Sequence, residues 1–436
     1  MAFDNEELNK RREERARRKE LAQKKAKKEI IILCCVAVVL ILAIAGVLIY
    51  LGISRGSTAP TEPTEPSETL AETVPSQTAP PETEPPTTIP PDTVITMVAG
   101  GDLNITDKTV SSGFTGNGYD YSHTFRDILP VLASADLTML NLEGVFAGGP
   151  YGAASAPAEL ATALKNAGVD LLQTANSRAV SGGILGLTST LNTIRQAGME
   201  PVGTFANQSE FRKSGGFTLL EIQGIRIAVV AFTKGMDGMG IPPGQEHCVN
   251  LLYTDYNSTY QKVDTEGITS VLQAVEEESP DLTIALLHWG SEYNNQISKT
   301  QTKIISLMAQ EGVDAIIGTH SHYAQQMGFD KDTGIFVAYS LGDLLSDAQR
   351  AGTEYSVLLE LEITKDGATG EASITGYGYT PTYTVDETES GGSLRILRLQ
   401  EAIAAYEHHA LDAVSPATYS GMKTALSVLQ NRLDPK

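Results

Sequence analysis

Between residues 93 and 347 one arrangement recurs, and it restricts the fold more than any other feature: a short apolar or β-branched run that ends abruptly in Gly, Asn, His or an acid. Residues 94–99 lead to Gly100-Gly101-Asp102, 136–140 to Asn141-Leu142-Glu143-Gly144, and 169–173 to Asn176-Ser177-Arg178. Farther on, 282–287 lead to His288-Trp289-Gly290, 313–317 to Gly318-Thr319-His320-Ser321-His322, and 335–339 to Ser340-Leu341-Gly342-Asp343. Runs this apolar predict strands buried on both faces. Between several of them, residues 158–167, 185–197, 267–277 and 299–310 repeat apolar side chains at three- and four-residue spacing, the period of a helix. Strand–helix alternation of this kind predicts an α/β layered domain, and polar residues at strand carboxyl ends mark where such folds place ligands.

The rest of the 436-residue chain divides by composition. Residues 1–29 are a charged tail with 11 Lys and Arg, and 30–53 carry no charge at all. At about 1.5 Å per residue such a run is long enough to cross about 30 Å of hydrocarbon. It exceeds a signal-peptide core and ends in bulky Leu48-Ile49-Tyr50-Leu51, so a retained single transmembrane helix is expected. The basic flank puts the N-terminus in the cytoplasm and the following domain outside the cell membrane. Residues 54–93 are dominated by Pro, Thr, Glu and Ser; they cannot bury a core and predict a semi-stiff extracellular stalk. Cys34 and Cys35 fall within the expected span, which leaves Cys248 alone outside it, a bystander with no disulfide partner.

Charge narrows the partners. The chain carries 32 Lys and Arg against 53 Asp and Glu, and the first 29 residues hold 11 and 7 of these, which leaves a net charge of −25 beyond residue 29. A portion this acidic argues against nucleic acid as a partner and for a local site in which a few cations outweigh the global field. The stretch from Gly235 to Gly240 lacks the Lys-Ser/Thr of a phosphate-binding loop and is expected to form a flexible rim of the site. His123, His247, His408 and His409 have no motif around them. Residues 393–436, with Leu394, Leu397, Leu399 and Ile403 at helical spacing and Ser415-Pro416 as a second start, predict a C-terminal helical pair.

Taken in order, Gly-Asp, Asn-Leu-Glu, the Asn176 loop, His-Trp-Gly with Glu292-Tyr293, Gly-x-His-x-His and Tyr-Ser-Leu-Gly resemble the bacterial capsule-synthesis protein CapA family, linked to poly-γ-glutamate biosynthesis. The resemblance spans about residues 94–347, within a domain expected over 94–392. It implies a four-layer αββα sandwich of the calcineurin-like metallophosphoesterase type and a centre for one or two divalent metals such as Mn²⁺, Zn²⁺ or Fe²⁺. Asp102 and His322 would hold one ion, His288 and His320 the other, with Glu143 bridging. Glu292 and Tyr293 would be outer or substrate contacts. Two such ions, about 3.5–4 Å apart, would polarise a phosphoryl or carbonyl oxygen and activate water. Implied partners are a surface polymer or envelope phosphate ester and other capsule-assembly membrane proteins.

One loop departs from the family. Where relatives read Asn-Asn-His and, after two further residues, Asp, this chain reads Asn176-Ser177-Arg178-Ala179-Val180-Ser181. Ser177 replaces an amide ligand, Arg178 the proton-donating His, and Ser181 the Asp that orients it. Asn176 and Ser177 remain candidates to touch substrate. Arg cannot donate a proton near pH 7, but its planar fork can bind phosphate or carboxylate and partly stand in for a metal. Asp343 likewise replaces an Asn. Three readings follow: a metal-dependent hydrolase with an altered relay, a silent binding or scaffold module, or a phosphoesterase in which water donates the proton.

Overall fold

In a computed structural model of the chain, the described residues are 90–387, 393–411 and 414–433. They form two sheets. The first has eight strands in the order β14 (Leu394–Arg398), β13 (Ala372–Asp386), β12 (Tyr355–Lys365), β1 (Thr93–Asn104), β2 (Leu137–Glu143), β3 (Leu171–Gln173) and β4 (Glu200–Val202), with β11 (Asp343–Leu345) pairing beside the end of β1. The second runs β5 (Thr218–Ile222), β6 (Ile225–Thr233), β7 (Leu282–His288), β8 (Ala315–Thr319), β10 (Phe336–Ala338) and β9 (Met327–Phe329). Strands β1 to β4 pair in parallel, as do β6, β7, β8 and β10, and antiparallel strands flank each parallel set.

Alternation along each strand explains why the apolar runs are continuous. Successive side chains point to opposite faces. In β1, Ile95, Met97 and Ala99 enter a core between the sheets, while Val98 enters a second core outside the first sheet. In β7, Leu282, Ile284 and Leu286 join the central core, whereas Ala285 and Leu287 face a third. The outer cores are closed by helices: Leu160 and Leu164 of Ala158–Asn166 cover the first sheet. Val271, Leu272 and Val275 of Thr265–Glu277, with Ile304, Ile305 and Met308 of Lys299–Gln310, cover the second. The result is helix, sheet, sheet, helix: the layered sandwich.

Two boundaries differ from expectation. Residues 394–398 form β14, not the start of a helix, because the edge of the first sheet offers backbone partners from Thr382 to Asp386. The helices are Leu399–Glu407 and Pro416–Leu433, and Met422, Ala425 and Leu429 pack into the central core. Thr93 opens β1, and Asp92 accepts a hydrogen bond from the Gly367 amide at 2.9 Å, so the stalk's last residues belong to the domain. Among the described residues no helix is long and apolar enough to cross a membrane; the basic tail, the expected span at 30–53 and nearly all of the stalk lie outside them.

Candidate metal centre

Ladder register brings the strand ends to one place. Asp102 lies beside Asn141 and Asn104 beside Glu143 where β1 pairs with β2. His288 ends β7 opposite Thr319, the last residue of β8. On the other flank of β1, Asp102 is in register with Asp343. Close backbone approach requires glycine here: a Cβ on Gly101 would stand 1.8 Å from the Gly342 carbonyl oxygen, and one on Gly318 would stand 2.0 Å from that of Tyr339. Beyond β8 the chain turns sharply, with His320 at φ +89° and His322 at φ +60°. Such φ values are uncommon for residues other than Gly and gather at functional sites.

The five expected ligands converge and are almost fully buried. They fall into two donor groups, Asp102–Glu143–His322 and Glu143–His288–His320, with the ligand atoms of each group within 4.8 Å of one another. Glu143 is common to both. On one side its Oε1 lies 3.6 Å from His288 Nε2 and accepts a hydrogen bond from the Ser177 hydroxyl at 2.5 Å. On the other its Oε2 is 4.0 Å from His322 Nδ1 and has no hydrogen-bond partner although buried. A buried carboxylate oxygen with no partner is costly unless a cation faces it. Imidazole and carboxylate donors are also the set that suits Mn²⁺, Zn²⁺ or Fe²⁺. The residues present therefore fit a divalent metal.

Electrostatics tell the two groups apart. Burial pushes His288 and His320 well below the usual imidazole range, helped by their mutual proximity to other positive groups, so both are neutral donors at pH 7. Their nitrogens approach to 3.0 Å. His288 Nδ1 is 2.9 Å from the Thr319 hydroxyl, which fixes the ring so that Nε2 faces Glu143. Burial also raises the carboxyls of Asp102 and Glu143. His322 behaves in the opposite way: burial alone would lower it, but the hydrogen bond to Asp343 at 2.8 Å and the charges of Asp343 and Glu143 push it up to about 10.

The remaining candidates sit around this floor. Asn176 is fully buried and committed to the fold: its amide donates to the Leu142 carbonyl (2.6 Å) and to Asn141 Oδ1 (3.1 Å), and its Oδ1 accepts from the Arg178 backbone (2.9 Å). It positions the loop and has no free group for substrate. Ser177 is buried too, and its hydroxyl reaches His288 Nε2 at 3.2 Å as well as Glu143, which makes it a neighbour of the metal donors more than a substrate contact. Arg178 is half-exposed and pairs with Asp237 at 3.3 Å. Asp237 belongs to the expected rim, whose Met236 is anchored in the central core. Tyr293 stacks on His322 with centroids 4.9 Å apart, and Glu292 is exposed on the cleft wall. Cys248 is buried, and burial pushes its thiol up to about 11.

Some participants were not anticipated. Asn141, whose amide donates to Asp102, lies two residues before Glu143, so the period-2 rule alone places both on one face. Thr319 and the pairing of Asp343 with His322 depend on register between distant segments. Above the floor opens a cleft of about 580 Å³ lined by Glu143, His322 and Asp343 below and by Lys108, Arg178 and Arg350 among its walls.

The chain is similar to several known proteins. The chain is 26% identical over 260 residues to the capsule biosynthesis protein CapA of Bacillus anthracis, covering 58% of this chain and 60% of that one. Over 212 residues it is 26% identical to the PGA biosynthesis protein CapA of Bacillus subtilis strain 168, covering 49% and 51%. It thus spans about half to three fifths of the length of these curated relatives. Among solved structures, the calcineurin-like phosphoesterase YfkN from Bacillus subtilis superposes with a TM-score of 0.40 at 14% identity, covering 78% of this chain and 100% of that one. Residues 96–348, which contain every ligand candidate, match the family described as bacterial capsule synthesis protein PGA_cap, and the chain belongs to that family.

Proposed function

We propose that the chain is a membrane-anchored, extracytoplasmic member of the capsule synthesis family that processes a surface polymer, or an envelope phosphate ester, at a metal-dependent hydrolytic site with a rebuilt proton relay. The observation that carries this reading is Glu143, a buried carboxylate common to two His-containing donor groups, with one oxygen unpartnered. A divalent ion held there supplies Lewis acidity and an activated water. The chain's own residues do the rest. Thr319 and Asp343 orient the two imidazoles they touch, and Asn176 clamps the 176–178 turn against Leu142. Arg178 brings a permanent positive charge to the cleft where relatives carry a proton donor. The basic flank before the uncharged run 30–53 supports the anchor.

A second reading, a silent binding or scaffold module, is favoured by one observation: Arg178 cannot donate a proton and is engaged by Asp237. Elemental analysis of the purified chain, together with an ester-hydrolysis screen in Mn²⁺, separates the two. Bound metal with turnover supports the hydrolase. Absence of both, unchanged by Arg178→His with Ser181→Asp, leaves the binding module. For the anchor, recovery of the full chain in the soluble fraction of lysed cells would remove the membrane assignment.

A further inference from the structure

Three Lys or Arg side chains line the cleft, and two are already matched. Lys108 forms an ion pair with Asp386, and Arg178 pairs with Asp237 at 3.3 Å. Arg350 differs from both. Among the described residues it makes no ion pair, and its guanidinium lies over the Tyr293 ring, 4.0 Å from the centroid. The other side of this arrangement is built inward: the Tyr293 ring stacks on His322, which pairs with Asp343. A guanidinium that spends its face on an aromatic ring keeps its in-plane N–H donors available for an oxyanion.

The backbone that presents Arg350 is pinned. Its carbonyl accepts from both the Thr353 amide (3.2 Å) and the Thr353 hydroxyl (2.8 Å), and the Ala348 amide donates to Ser346 Oγ at 3.0 Å. Gly352 turns at φ +98° against the Tyr323 ring, where a Cβ would meet a ring carbon at 3.0 Å. A long cation with no ion pair among the described residues, on a fastened loop in a domain otherwise rich in acid, is placed to act on something brought into the cleft. Arg350 also lies beyond the residues that match the family, which end at 348.

We propose that Arg350 is the anion-recognition residue of the cleft: its guanidinium, supported by Tyr293, binds a carboxylate or phosphate oxyanion of a ligand lying over the Glu143–His322 floor. The inference rests on reading this cleft as the ligand site, but not on the metal. It is tested by calorimetric titration of the full chain, metal-depleted with a chelator, using inorganic phosphate in one arm and a γ-linked glutamate oligomer in the other. Arg350→Gln should weaken whichever probe binds by about tenfold or more, the size of one lost charge-assisted pair. Arg350→Lys should recover part of the loss, and Tyr293→Leu should weaken binding less than Arg350→Gln. Arg226→Gln, on a remote ion pair with Glu278, serves as the control and should change nothing. Binding of phosphate alone identifies an ester ligand, and binding of the oligomer alone a carboxylate polymer. Arg350→Gln within twofold of wild type in both arms, or no binding of either probe by wild type, overturns the proposal. Metal content and Mn²⁺-dependent ester hydrolysis are measured in parallel on protein never exposed to chelator: no bound metal and no turnover there, with Arg350-dependent binding in the titration, would sink the hydrolytic reading and leave this one standing.

Discussion

The strand-end floor and the 176–181 loop face the same cleft, yet they hold their chemistry by different means. On the floor, Asp102, Glu143 and His288 lie on strands within ladders, so strand pairing brings them together. The strands β2 and β7 are buried along their whole length, and a change of register would turn every side chain along such a strand into the wrong core. The loop carries no such ladder. It is held by Asn176, which ties the turn to Leu142 and to the backbone of Arg178, and by Ala179 and Val180, which pack in the central core. With the turn so tied, Arg178 and Ser181, both partly exposed, can differ from the family pattern without disturbing the core, whereas Ser177 is buried against Glu143 and His288. The difference teaches that strand pairing fixes the residues of the floor, while the partly exposed positions of the loop, Arg178 and Ser181, are not so fixed.

The largest expected effect lies on the floor. Glu143→Gln removes the carboxylate common to both donor groups, so both should fail together. Bound metal should fall by more than the roughly 10–100-fold that loss of an outer-shell partner costs, with loss of any Mn²⁺-dependent turnover. His288→Ala should empty only the group that contains it. Equal metal content in Glu143→Gln and wild type, measured by elemental analysis, would show that register has not built a metal site.

Next in size is the loop. Arg178→His with Ser181→Asp restores the family's donor and its orienting acid over an unchanged floor. General acid catalysis contributes about 10²–10⁴-fold where the donor is positioned, so ester hydrolysis should rise by at least about 100-fold while metal content stays constant. A double variant no faster than wild type, with metal bound, would mean that loop and floor are not independent.

How much of this was legible follows from the same division. The central strands were readable because apolar runs end in chemistry-bearing residues, and the family resemblance carried by those ends implied the ligand set. β14 was misread because Leu394 and Ile396 face one core and Leu397 another. A short strand buried on both sides has no alternation, so its spacing imitates a helix. The commitment of Asn176 to the fold, the Arg178–Asp237 pair and the Tyr293–Arg350 stack were not legible, because each joins segments that only the tertiary structure brings together.

A smaller effect tests Asp343, where the chain again departs from the family. Against burial, which lowers it, the hydrogen bond and charge of Asp343, with the charges of Glu143 and Asp102, push His322 up to about 10, so its pair with Asp343 stabilises the fold below the free-imidazole range near pH 6.5. That contribution declines as pH rises and is gone above about 10. In chelated protein, Asp343→Asn should lower the urea midpoint at pH 6 and converge on wild type near pH 10. NMR should show His322 titrating nearer neutrality in the variant. Identical midpoints at pH 6 would remove Asp343 as the group that sets the charge of His322.

The smallest effect concerns the contact between loop and rim. Arg178 and Asp237 are 42% and 37% exposed, so their pair is worth less than about 1 kcal/mol. Asp237→Asn should therefore leave the denaturation midpoint nearly unchanged. It does release the Arg178 fork into the cleft, and a gain of a few-fold in phosphate affinity is expected, with a steeper salt dependence than wild type. The size of that gain decides which wall recognises anions. If freeing Arg178 tightens binding by more than removal of Arg350 loosens it, the rebuilt loop is the anion-recognising side, and its substituted residues have acquired a binding role in exchange for the proton donor they replaced.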